Sequence, residues 1–168
     1  MFMSLGSAIL SGVEGTVAFA VKFTDPTSCT ILSSADTATA TKYVALGTNG
    51  SDQMQVDQDE TDVNTTIRGG TTLGTDWHIL FFESNGSAYF LAIDDVDETL
   101  VATTGTNNGD WWDDSTGKDN TVLGALVTSG GTSLYFEGYI ADIIVYKKCL
   151  SVAERTNLYK NYLKPRYL

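Results

Sequence analysis

The residues best suited to hold a ligand lie in the stretch Gly105-Thr-Asn-Asn-Gly-Asp-Trp-Trp-Asp-Asp-Ser-Thr-Gly-Lys-Asp-Asn120. Trp111 and Trp112 stand between Asp110 and the pair Asp113 and Asp114. An exposed indole offers a flat apolar face that the C–H face of a sugar ring can cover. Neighbouring carboxylates and amides can bond the sugar hydroxyls or hold a hard cation. A loop of this length without structure of its own is often functional. The alternative is structural: one indole plugs the end of the fold while the aspartates solvate the loop. If both hold in part, one indole is buried and the other exposed. Asp110, Trp111, Trp112, Asp113 and Asp114 form the candidate ligand-binding set.

A second acidic stretch, Asp57-Gln-Asp-Glu-Thr-Asp62, spaces four carboxylates closely enough to suit Ca²⁺. Asp57, Asp59 and Asp62 are its candidate metal ligands. The stretch lacks the glycine and the distal glutamate of an EF-hand loop. A solvated acidic hairpin tip is the competing account.

Catalytic chemistry has little to work with. The single histidine, His78, follows Trp77 in an apolar run, so a His-based triad or a zinc site would have to be built on it alone. Asp94, Asp95, Asp97 and Glu98 are rich in acid, but the run reads as a turn and neighbouring residues on a strand face opposite ways. Cys29 and Cys149 read as two small apolar thiols in a reducing compartment; the alternative is a disulfide, which requires the first strand pair and the strand-to-helix turn to meet in space.

The elements that must position these residues are mostly strands. The chain has 168 residues, enough for one domain with a real core. Sixteen glycines, many Thr and Ser, and few lysines describe a turn-rich β protein. No apolar run is long enough to span a bilayer as a helix. The opening Met-Phe-Met-Ser-Leu lacks a basic segment, so no secretory signal is expected. Net charge is −11, unevenly spread: residues 147–168 carry +5 and the rest −16. So acidic a body repels phosphate and argues against nucleic acid as a partner. The basic end can dock on an acidic neighbour or on the module's own acidic face; the alternative is a solvated helix with cations near its C-terminal end.

Alternation predicts strands over 15–23, 29–34, 42–47, 53–57, 62–68, 76–83, 87–93, 97–103, 120–128 and 132–146. In the first, Val17, Phe19, Val21 and Phe23 oppose Thr16, Ala18, Ala20 and Lys22. Asn85-Gly86 predicts a two-residue hairpin turn, and Ser129-Gly130-Gly131 another reversal. Near the end, Ile140, Asp142, Ile144 and Tyr146 alternate with Ala141, Ile143 and Val145, which predicts a strand covered on both sides. Ser151 and Glu154 then form a capping box, and Leu158/Tyr162 and Tyr159/Leu163 pair along a short helix that Pro165 should stop. Together these predict an all-β fold: a two-sheet antiparallel β-sandwich, or jelly roll, with one short C-terminal helix packed outside.

The closing strand and capped helix resemble the end of concanavalin A-like, laminin G-like jelly-roll modules. The matching residues are Gly138, Ile140, Ala141, Asp142, Tyr146, Leu150, Ser151, Glu154, Tyr162 and Leu163, with Asp142 where the family more often has glutamate. Trp77 to Leu80, the Asn85-Gly86 turn and Ile93-Asp-Asp-Val96 are similar to the family's middle hairpin, without its glycine after the aspartate. The resemblance implies a single domain over 1–168 and a binding role. It also allows Ca²⁺ at one rim of the sandwich. The E-x-D-x-x-E motif of glycoside hydrolases that share this fold is absent, so no catalytic residue is assigned.

The expected function is a non-catalytic lectin-like module that attaches to a glycan or another cell-surface ligand. Modules of this type recur on bacteriophage particles as head decoration, fibre or tail appendages. The resemblance therefore implies a virion surface protein, made in the host cytoplasm, present in many copies and held by other virion proteins. Residues 1–13 and 164–168 are then docking segments. The alternatives are a purely structural particle protein and a polysaccharide-cleaving enzyme of the same fold.

Overall fold

The computed structural model describes residues 2–5, 9–61 and 63–168. In chain order the strands are β1 (Met3–Ser4), β2 (Gly15–Asp25), β3 (Thr30–Ala35), β4 (Lys42–Thr48), β5 (Gln53–Glu60), β6 (Val63–Thr72) and β7 (Trp77–Ser84). They continue as β8 (Tyr89–Ile93), β9 (Val96–Asp97), β10 (Val101–Thr104), β11 (Asn120–Leu123), β12 (Leu126–Thr128), β13 (Gly131–Ser133) and β14 (Glu137–Tyr146). One sheet has the order β1-β11-β3-β4-β5-β6-β10, the other β14-β2-β7-β8-β9, and β12 and β13 form a separate hairpin. The expected two-sheet antiparallel sandwich is what the chain forms.

β2 shows why the layers stack as they do. Its residues Val17, Phe19, Val21 and Phe23 face the other sheet, where they meet Ile31, Val44, Leu46, Met54, Val56 and Ile67 in one buried cluster. Phe19 and Phe82 meet edge to face at 5.8 Å. The opposite face of β2 carries Ala18 and Ala20, which with Ile79, Phe81 and Ala92 receive Tyr159 and Leu163 from the helix. Small side chains under the helix let it approach the sheet closely.

Three local expectations are corrected. The loop between β7 and β8 has four residues, not two: Asn85 keeps a negative φ and its Oδ1 accepts from the N–H groups of Ser87 and Ala88, both at 2.9 Å. The two-residue turn falls instead at Asp94 and Asp95, where both residues take positive φ, 53° and 68°. Their carboxylates repay that conformation, because Asp94 accepts from the Ile79 N–H at 2.8 Å and Asp95 from the Thr156 hydroxyl at 3.0 Å.

Second, β14 is the edge of its sheet and does not alternate cleanly. The register slips between Ile140 and Asp142, leaving Ala141 as a bulge. Ile140 and Ile143 therefore both pack on the inner core, while Ile144 packs under the helix.

Third, the helix does not stop at Pro165. Helix α1 (Val152–Leu158) starts at the expected capping box, in which the Ser151 hydroxyl accepts from the Glu154 N–H and Glu154 accepts from the Ser151 N–H. It widens into a π-helical turn over Tyr159–Leu163 and resumes as α2 (Lys164–Tyr167). The terminal residues 164–167 thus belong to the body of the domain: Tyr167 stacks near Trp77 at 5.8 Å and its hydroxyl donates to Asp142 at 3.3 Å. At the other end, Met3 and Ser4 pair with β11, and Phe2, Met3, Ile9 and Val13 are exposed. No helix among the described residues is long and apolar enough to cross a membrane.

Candidate functional site

The loop that carries the two tryptophans is a plug. Trp111 and Trp112 are each only 1% exposed and belong to the inter-sheet core. Their rings lie 5.0 Å apart, with Tyr89 6.2 Å from Trp111. The aspartates hold the plug in place. Asp113 and Gly12 exchange two bonds: the Gly12 N–H donates to Asp113 Oδ2 at 2.7 Å, and the Asp113 N–H donates to the Gly12 carbonyl at 3.1 Å. Asp114 accepts from the Trp111 N–H at 2.7 Å, and Asp110 accepts from the Asn108 side-chain amide. Burial, then the nearby Asp114 charge, raises the Asp110 carboxyl above its usual range. The indole platform expected at Trp111 or Trp112 is therefore not on the surface. The two largest apolar side chains gain most by leaving water, and a 3₁₀ turn at Trp112–Asp114 points them inward.

The acidic hairpin is also more committed than its composition suggests. Asp57 and Asp59 lie on the outward face of β5, beside buried Val56 and Gln58. Asp57 accepts from the Tyr43 hydroxyl at 3.1 Å and the Thr66 hydroxyl at 2.8 Å, so it is a sheet cross-link, not a solvated tip. Burial raises its carboxyl despite these bonds. Glu60 is drawn away to the Thr116 N–H and hydroxyl, at 2.7 and 2.6 Å. Asp62 lies outside the described residues. Among the described residues no three His, Cys, Asp or Glu side chains converge as a metal would require. The hollow on this sheet face, lined by Ala45, Gly47, Gln55, Asp57 and Leu134, holds only about 20 Å³. That is room for about one water molecule.

His78 completes a structural link, with Nδ1 3.2 Å from Asp94 Oδ2. Cys29 and Cys149 are both free. Burial pushes the Cys29 thiol up to about 11, which makes it inert at neutral pH.

The arrangement best shaped for a ligand lies elsewhere. A cleft of about 440 Å³ opens between β8, β9 and the start of α1. Its walls are apolar: Phe90, Leu91, Leu100, Leu150 and Val152. Phe90 points away from the core and stays 42% exposed, so one ring face is available. Polar groups gather on the rim. Among the described residues the Asn85 side chain uses only its oxygen. Glu98 spends Oε2 on the Gly70 and Thr71 N–H groups, at 2.8 and 2.7 Å, which leaves Oε1. Asp97 gives one oxygen to Arg155 and is 65% exposed.

Beneath the rim sits a buried ion cluster. Arg155 is 3% exposed and Glu83 2%. Arg155 donates to Glu83 at 2.9 Å, to Asp95 at 3.4 Å and to Asp97. The other Glu83 oxygen accepts from the Thr16 hydroxyl at 3.1 Å, and that hydroxyl accepts from the Leu150 N–H at 3.0 Å. Burial holds the Glu83 carboxyl above its usual range even against Arg155. For Arg155 burial works downward, but its bonds to Glu83 and Asp97 outweigh it and raise the guanidinium further. The basic C-terminal segment thus docks one cation on the module's own acidic edge.

Sequence reasoning pointed to none of the cleft's aromatic surface. Phe90 and Ala92 alternate with Tyr89, Leu91 and Ile93, and nothing in five apolar residues says which face stays open. Arg155 carried a better signal, a lone arginine in a capped helix of a chain with four acids at 94–98.

This architecture is a two-sheet antiparallel β-sandwich of the jelly-roll kind. No family model matches the chain, and no curated protein matches it by sequence. Among solved structures it is similar to the CBM40 module of the Ruminococcus gnavus IT-sialidase, bound to α2,3-sialyllactose: TM-score 0.73, 19% identity, 84% of this chain and 79% of that one. It is similar to the NanB sialidase of Streptococcus pneumoniae: TM-score 0.78, 18% identity, 94% of this chain but 26% of the sialidase. Domain 4 of AbnA, a GH43 extracellular arabinanase of Geobacillus stearothermophilus bound to arabinotriose, gives TM-score 0.70, 18% identity, and 95% and 72% coverage. At these identities the likeness is one of fold. The narrower laminin G-like assignment rests on the sequence resemblance.

Proposed function

We propose that this chain is a non-catalytic glycan-binding module and that the cleft beside α1 is its site. The observation that carries the reading is the half-exposed Phe90 ring in a cleft of about 440 Å³, with unspent polar atoms of Asn85, Asp97 and Glu98 on its rim. A saccharide ring needs that combination: an apolar face for its C–H groups and acceptors and donors for its hydroxyls. The volume lies in the usual range of about 300–1,000 Å³ for small-molecule sites. Sandwich neighbours whose structures hold sialyllactose and arabinotriose support the ligand class. Binding is favoured over cleavage because Glu83 has both oxygens engaged and Glu98 is held by two backbone N–H groups. The test is a glycan array followed by titration of any hit with Phe90→Ala and Asp97→Asn. We expect at least about tenfold weaker binding for Phe90→Ala. Unchanged affinity in both variants would remove the cleft from consideration.

We also propose display in many copies on a particle surface, as the sequence resemblance implies. The observation in its favour is the exposed apolar opening, Phe2, Met3, Ile9 and Val13. Repetition multiplies weak affinities. Deleting residues 1–13 should abolish incorporation into particles; full incorporation of the truncated chain would refute this setting.

A further inference from the structure

We infer that the cleft takes an uncharged or amine-bearing saccharide and excludes sialic acid and other carboxylated sugars. This rests on the glycan-binding reading of the same cleft and goes past it to the ligand's charge.

The inference comes from an inventory of charge. Arg155 is the sole cation among the residues lining the cleft, against Glu83, Asp97 and Glu98, so the lining carries a formal −2. Asp95, which also bonds Arg155, adds a further negative charge behind it. A carboxylated sugar needs a free cation, and this one is taken. The guanidinium meets Glu83 at 2.9 Å, Asp95 at 3.4 Å and Asp97 through its third nitrogen. To turn toward a ligand it would have to desert Glu83, a 2% exposed carboxylate with no other cation bonded to it among the described residues. Leaving a buried charge uncompensated is among the costliest changes a protein can make.

The remaining nearby cations look elsewhere. Lys148 pairs with Glu154 and lines the groove on the far flank of the helix, and Lys147 donates to the Ser11 hydroxyl. The walls of Leu91, Leu100, Leu150 and Val152 are apolar, so repulsion between the lining carboxylates and an incoming one is weakly screened inside the cleft. Beside the neutral Asn85 amide, what the rim offers is acceptors, the free oxygens of Asp97 and Glu98. Hydroxyls satisfy them, and an ammonium satisfies them better, with the Phe90 face available to a cation as well. The sandwich shared with a sialyllactose-binding module therefore does not carry that ligand's charge requirement with it.

The test uses the full chain on an array with matched glycan pairs: a neutral parent, its sialylated or uronic-acid derivative, and a derivative with a free amine in place of the N-acetyl group. Each acidic derivative should bind at least about tenfold more weakly than its parent. That gap should shrink only in part as salt rises from about 50 mM to about 500 mM, because only the exposed Asp97 on the rim is well screened. The free amine should bind no worse than the N-acetyl form. Asp97→Asn with Glu98→Gln should narrow the neutral-to-acidic gap by several fold. A carboxylated glycan bound as tightly as its neutral parent, and lost in Phe90→Ala, would overturn this inference and leave the glycan-binding reading standing. Binding of simple alkyl diamines as tight as that of any glycan would show an amine site without sugar recognition and overturn it too. Failure of every glycan to bind would overturn both.

Discussion

Replacing Arg155 by methionine should show how much of the fold depends on one buried cation. The side chain is 4% exposed and its most buried partner, Glu83, 2%. Methionine keeps the apolar stem against Phe81, over whose ring the guanidinium now sits at 5.9 Å, but strands Glu83 in an apolar setting. Breaking such a pair from one side costs about 3–5 kcal/mol. Against a total stability of about 5–15 kcal/mol this is a large share. For a domain of this size it lowers the melting temperature by roughly 6–20 °C. Adding Glu83→Gln should return much of that loss, because the stranded charge is gone. The pH dependence has a definite sign. Without Arg155 the folded-state Glu83 pKa, already raised by burial, rises further above its unfolded value. The folded state then binds the proton more tightly, so the variant's deficit is full above the folded pKa and shrinks as pH falls through it toward the usual carboxylate range. Thermal melts followed by circular dichroism at neutral and mildly acidic pH measure all of this. A single variant that melts within about 2 °C of the parent, or a double variant no better than the single, would refute the reasoning.

The other predictions concern the plug, the helix start and calcium. A Cβ at Gly15 would lie 2.5 Å from Trp111 Nε1 and 2.9 Å from the Tyr146 carbonyl, so Gly15→Ala should cost about 1–3 kcal/mol in a denaturant titration without altering the slope. Ser151→Ala removes the acceptor for the Glu154 N–H and should cost about 1 kcal/mol, checked by the same titration. Calcium at about 1 mM should leave the melting temperature unchanged, because Asp57 is already bonded to Tyr43 and Thr66; a rise of several degrees that a chelator reverses would contradict this.

The layers were legible because alternation is a backbone property. Val17, Phe19, Val21 and Phe23 can share only one face of a strand, and the capping box at Ser151 needs only two side chains three residues apart. What stayed illegible depends on partners remote in sequence. Asp94 and Asp95 form the tight turn because Ile79 and Thr156 reward their carboxylates, whereas Asn85 spends its own side chain on Ser87 and Ala88 and opens its loop to four residues. Trp111 and Trp112 sit among aspartates that look solvated in sequence, yet each of those carboxylates or its backbone is tied down by Gly12, Asn108 or Trp111 itself. An apolar side chain's neighbours along the chain do not fix its exposure; the space between the sheets does.

Pro165 shows how an irregular turn helps to seat the helix. An α-helix running through Pro165 would lack one N–H bond and drive the proline ring against the carbonyl four residues back. The π turn over Tyr159–Leu163 relieves this: the Lys164 N–H reaches back five residues to the Tyr159 carbonyl, so the helix is already widened where proline enters. That extra residue also keeps Tyr159 and Leu163 buried over Ala18 and Ala20, and it brings Tyr167 round onto Trp77 and Asp142. Asp142 shares the outer face with Ile144 two residues on, while the Ala141 bulge turns Ile140 to the inner core. Helix docking at its far end thus rests on Tyr167 against Trp77 and Asp142, and at its near end on Arg155 beneath the cleft. The element that carries Arg155 is fixed at both ends, so the charge of the proposed binding cleft is set by the fold, not by a mobile side chain free to turn toward a ligand.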